Sequence, residues 1–196
     1  SAAHLTALHL DDEFAVLGSF IAGAAALQRW AAGAALNSDD RPIVARRAPL
    51  LTYSRASTPR QRLVQLLSSL DVQPHEVLDP ASLGDGAFAK RLAGYWMARN
   101  RFIALGTNVA PTADPAAMLA QVGGPLLELV RTSPEFRPAY DPLLNMARAL
   151  GARDARGARA LLSDLARAQP ARPEAARLLD SSFPALPGTA PDPSSL

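Results

Sequence analysis

The chain has 196 residues, 48% of them hydrophobic, enough to bury a core in one domain or two small ones. Its 20 basic and 18 acidic side chains leave a net charge of +2, spread without the dense single-sign block expected of a nucleic-acid or membrane-surface binder, which argues against nucleic acid as a partner. Cysteine is absent, so disulfides, thiolate metal sites and a Cys nucleophile are excluded.

Ala and Leu dominate, aromatic residues make up only 6%, and β-branched residues are sparse. That composition favours helix outside the Pro-rich breaks and predicts a mainly α fold. No apolar stretch reaches the roughly 18 residues of a membrane span, and Ser1-Ala2-Ala3 lacks the basic start of a signal peptide. A soluble, cytoplasmic region is the expectation.

In chain order, Asp11-Asp12-Glu13 place acids where they favour a helix start. The apolar run Phe14 to Gly23 fits helix and strand equally, with Gly18 and Gly23 interrupting it. Ala24 to Ala32 reads as a short helix, with Leu27 and Trp30 three apart and Gly33 as its stop. Ile43-Val44-Ala45-Arg46-Arg47 is the best candidate strand, ended by Pro49.

Leu36-Asn37-Ser38-Asp39-Asp40-Arg41-Pro42, followed by Ala48-Pro49 and preceded by Gly18-Ser19-Phe20-Ile21-Ala22-Gly23, resembles the segment that closes the catalytic domain of large bacterial spermidine-synthase-like proteins. In those proteins the domain is fused to membrane helices and helical repeats. The resemblance covers roughly Val16 to Tyr53. It implies that residues 1–53 are a short α/β remnant of such a domain, and that the parent is anchored in the inner membrane and transfers an aminopropyl group from decarboxylated S-adenosylmethionine to a polyamine. The family's Gly-rich turn, ribose-holding acid and amine-deprotonating aspartate have no counterpart in this sequence, so no catalytic residue and no cofactor are assigned to the fragment.

A second region, residues 54–183, begins after Tyr53. Ser57-Thr58-Pro59 gives a helix start, and Leu63, Leu66, Leu67 and Leu70 fall on one stripe. A longer helix runs from Ala87 to Leu105, ended by Gly106, and another starts at Asp114-Pro115, with Gly123-Gly124-Pro125 predicted to kink or split it. Tyr140 to Leu150 and Ala155 to Ala168 read as a helical pair, and Arg172-Pro173-Glu174 opens a last helix to about Leu179. Pro134 and Pro170 lie 36 residues apart, near the ~34-residue period of tetratricopeptide repeats. Ala158, Leu162 and Leu165 fall near the packing positions of that repeat's second helix, while Met146 stands where its first helix has a small residue. The prediction is therefore TPR-like helical hairpins, followed by a disordered Pro-rich tail over 184–196.

Chemistry-bearing residues are few. Asp39 and Asp40 could offer carboxylates to a cationic amine, but they fit better a turn in which Asp caps a backbone amide and pairs with Arg41. Tyr95, Trp96, Arg99, Phe102 and Tyr140 could line a partner-binding groove, but aromatic residues at helical spacing more often build a core. His4 with His9, and His75 with Glu76, fall short of a metal set, so no metal site is assigned. Gly84-Asp85-Gly86 lacks the context of a phosphate loop. The resulting expectation is a non-catalytic docking region whose partner is another protein or the missing catalytic domain. The competing expectations are a homo-oligomerisation module and a small-molecule site beside Trp96.

Overall fold

Ala, Leu and Arg carry high helix propensity, and all regular structure among the described residues is helical, with no strand. The structure, a computed structural model, describes residues 4–5, 10, 12–70, 72–79, 81 and 86–182. The predicted tail from Pro184, His9, Asp11 and Gly84-Asp85 lie outside them. The helices are α1 (Glu13–Leu17), α2 (Ala24–Trp30), α3 (Ile43–Thr52), α4 (Pro59–Ser69), a 3-10 turn (Pro74–Glu76), α5 (Ala87–Leu105), α6 (Pro115–Thr132), α7 (Arg137–Leu150), α8 (Ala155–Ala168) and α9 (Glu174–Ser182). The chain divides into two compact units between Asn108 and Val109, so the boundary expected near Tyr53 falls inside the first unit.

In the first unit α5 is the organising helix, packed by α1, α4 and the 3-10 turn. Leu92 and Ala98 are fully buried on it, and its Tyr95 and Phe88 rings meet Phe14 of α1, centroid to centroid, at 6.1 and 5.1 Å. Ala22, Ala26 and Leu70 form a smaller cluster, with Leu66 packed against it. Glu76 ties that cluster down: one carboxylate oxygen accepts from the Gly23 amide at 3.2 Å, and the other accepts from Gln73 N at 3.0 Å in a capping box.

In the second unit successive helices pack on one another, α6 on α7, α7 on α8 and α8 on α9, with a further α6–α8 contact. Its core holds Val130, Ala139, Tyr140, Leu143, Ala147, Ala158, Leu162, Leu165 and Ala175. Asp114 caps α6 by accepting from the Ala116 and Ala117 amides, and Asp154 caps α8 by accepting from Gly157 N at 2.8 Å.

Two expectations are corrected. Ile43 to Arg47 is the first half of helix α3, so the candidate strand of the N-terminal α/β remnant is absent. Ala45, Arg46, Arg47 and Ala48 favour helix, Asn37 Oδ1 accepts from Val44 N at 2.9 Å, and with no strand alongside among the described residues only a helix pairs the backbone within itself. The other correction concerns Gly123-Gly124-Pro125: of the kink or split expected there, the split does not occur, and α6 runs through it as one helix. Val122, Leu126, Leu129 and Val130 are buried on both sides of it, and that packing outweighs the hydrogen bond lost at Pro125.

Candidate functional site

Trp96 and Arg99 lie one helical turn apart on α5; Trp96 reaches the last residue of α1 and Arg99 the irregular backbone that follows it. The Trp96 indole N–H donates to the Leu17 carbonyl at 3.0 Å, and Arg99 Nη1 donates to the carbonyls of Gly18, at 2.6 Å, and Phe20. Arg99 Nε and Nη2 also donate to Asn100 Oδ1 at 3.1 and 3.0 Å. Burial lowers the Arg99 pKa from its ordinary value, and Tyr95 acts in the opposite sense. These donors hold residues 17–20 against α5. Tyr95 and Trp96 are buried and Phe102 is half-buried, so this part of the predicted groove belongs largely to the core of the first unit.

Tyr140 belongs to the second unit and is completely buried there. Its hydroxyl accepts from the Ala175 amide at 3.2 Å, and the Arg172 guanidinium lies 5.5 Å from its ring centroid. Arg137 bridges Asp141 at 3.5 Å and Glu174 at 3.6 Å beside it. This network fastens the start of α9 to α7.

What the Trp96 side does offer is a shallow groove of about 330 Å³ lined by Leu67, Val72, Trp96 and Met97, with Ser68, Gln73 and Asn100 among its polar groups. Among the described residues no titratable side chain lines it. A groove of about 410 Å³ in the second unit is lined by Arg148, Leu162, Leu178 and Ser182, with Arg148 as its cationic group among the described residues.

Asp39 and Asp40 are exposed in a bend closed by the reciprocal backbone bonds of Ser38 and Arg41, at 3.2 and 3.0 Å. Arg41 N also donates to Ser38 Oγ at 3.2 Å, and neither Asp pairs with the Arg41 side chain. Among the described residues no group of three or more His, Asp or Glu is placed to hold a metal ion, and no helix is long and apolar enough to cross a membrane.

The largest departure from the behaviour of a closed domain is on α2, α3 and their connection. Trp30 is 60% exposed, Leu36 86%, Leu50 73% and Tyr53 85%, joined by Leu27, Val44 and Leu51. Helix α3 has no buried residue at all. A search of the sequence for polar chemistry passes over this surface. Its signal was the apolar spacing of Ile43, Val44, Leu50 and Leu51, which becomes legible only once the segment is known to be helical. No protein-family model, curated protein or solved structure shows significant similarity to the chain.

Proposed function

We propose that the chain is a non-catalytic helical docking region of a spermidine-synthase-like protein, whose parent transfers an aminopropyl group from decarboxylated S-adenosylmethionine to a polyamine. One observation carries the docking role: a ten-residue helix, α3, with nothing buried and Val44, Leu50, Leu51 and the adjoining Tyr53 exposed. So short a helix, with Pro49 inside it, gains little from propensity alone and is stabilised by a surface that covers its apolar side. Exposed apolar residues in such number mark an interaction site. The parent is supplied by the similarity of Val16–Tyr53 to the closing segment of the synthase domain.

In this reading the second unit is a scaffold of TPR-like hairpins. Three hydrogen bonds support it, from Gln169 to the Pro134 carbonyl, from Arg172 to the Glu135 carbonyl and from Ala175 to Tyr140, spanning 35, 37 and 35 residues. Those separations are close to the ~34-residue repeat period, as expected where successive hairpins stack in register.

The test is the triple variant Leu50→Ser, Leu51→Ser, Tyr53→Ser. It should unfold at the same temperature as the parent chain and lose association, whether with a second copy, a lipid surface or the synthase-like domain. A lowered unfolding temperature would make these residues core and overturn the docking role. For the parent, translating the native gene upstream of the Ser1 codon should reveal an in-frame Gly-rich nucleotide-binding turn; a start codon at Ser1 would remove the synthase.

A further inference from the structure

The balanced net charge conceals a local imbalance on the docking segment. Residues 41–70 contain six arginines, Arg41, Arg46, Arg47, Arg55, Arg60 and Arg62, and no lysine, aspartate or glutamate. All six are exposed, and none forms an ion pair with a described residue. The basic run overlaps the exposed apolar one, since Val44, Leu50, Leu51 and Tyr53 lie between Arg41 and Arg55.

The helical period sorts α3 further. At about 100° per residue, Leu50, Ile43, Arg47, Leu51 and Val44 share one arc, with Arg46 at its margin, while Ala45, Ala48 and Thr52 occupy the opposite side. Arg47 therefore sits in the middle of the apolar arc. A dry protein interface would bury that guanidinium and would require an acid placed opposite it. At a bilayer surface the aliphatic stem lies among acyl chains while the guanidinium reaches the phosphates. Trp30 and Tyr53, both exposed, are the aromatic types that favour the same water–lipid boundary.

We propose that the segment Trp30–Arg55, centred on α3, docks on an anionic phospholipid surface, with Leu50, Leu51 and Tyr53 entering the headgroup region and Arg41, Arg46, Arg47 and Arg55 facing lipid phosphates. The proposal rests on the docking role above and names its occupant. Short apolar penetration and a cluster of arginines act together in such binding, each cation near the surface contributing a several-fold gain.

Co-sedimentation of the full chain with vesicles tests it, comparing phosphatidylcholine alone with phosphatidylcholine containing about one-third phosphatidylglycerol. Binding should be at least ~10-fold tighter to the anionic vesicles and should weaken as salt is raised. Arg46→Gln with Arg47→Gln should weaken it by about 30-fold, and the Leu50, Leu51, Tyr53 variant should abolish it. Equal binding to both vesicles, or binding indifferent to the two arginines, overturns the lipid assignment. Absent vesicle binding overturns it too, and light scattering then separates the two ideas. Self-association, or capture of the synthase-like domain, that is lost in the Leu50, Leu51, Tyr53 variant keeps docking with a protein occupant; no such association overturns both.

Discussion

Arg99 Nη1 donates to the carbonyl of Gly18 at 2.6 Å, joining the middle of α5 to backbone 81 residues earlier. With the Phe20 carbonyl as a second acceptor, the guanidinium is the main polar fastening of residues 18–20 onto the first unit. Arg99→Ala leaves both carbonyls without this donor and should cost about 2 kcal/mol, read as a lower urea midpoint. Arg99→Lys should recover part of that loss, since an ammonium supplies the charge without the planar fork. A variant as stable as the parent chain would show that the fastening is dispensable.

Gly18 itself has no room for a side chain. A Cβ there would overlap the Tyr95 ring and the Phe14 carbonyl. Gly18→Ala is expected to destabilise the first unit by ~1–3 kcal/mol and to perturb the near-ultraviolet signal of Tyr95 and Trp96. The backbone torsions at Gly18 are ordinary helical ones, φ −63° and ψ −20°, so the cost is steric and not conformational.

Tyr140 gives the second unit a pH dependence. Burial raises its pKa above the ordinary 10.0; the Ala175 N–H lowers it, Glu174 raises it, Arg172 lowers it and Asp141 raises it in smaller measure. Because the native pKa is the higher one, the contribution is complete below pH 10.0 and is lost as pH rises through the native value. Tyr140→Phe should remove that part of the alkaline decline while lowering stability at neutral pH by about 1–3 kcal/mol, since the Ala175 amide loses its acceptor in a buried site. Urea midpoints of the two proteins at neutral and alkaline pH check both effects.

Much of the helical layout was legible in the sequence. The limits of α5, Ala87–Leu105, and of α8, Ala155–Ala168, follow from the apolar spacing and the residues at their ends, and both are found as expected. The failures share one cause, which is that local signals do not report neighbours. Ile43-Val44 suggests a strand, but a strand needs a partner to take its backbone groups, and α3 pairs its own. Gly123-Gly124-Pro125 suggests a kink or a split, and the split is absent because the packing of Val122 and Leu126 holds α6 together across it. Trp96 and Arg99 were placed on one helical face by their spacing; that the carbonyls of Leu17, Gly18 and Phe20 absorb their donors is a tertiary fact. The six arginines were hidden by acids elsewhere in the chain, and only the exposed helix α3 shows that the charge and the apolar side chains share a surface.

Amide hydrogen exchange of α3 tests the docking account most directly, with α5 as the internal standard. The account predicts that amides of residues 46–53 exchange rapidly in the free chain while those of α5 are protected, and that anionic vesicles slow α3 selectively. Protection of α3 equal to that of α5 in the free chain would mean that its apolar side is already covered, and would contradict the account.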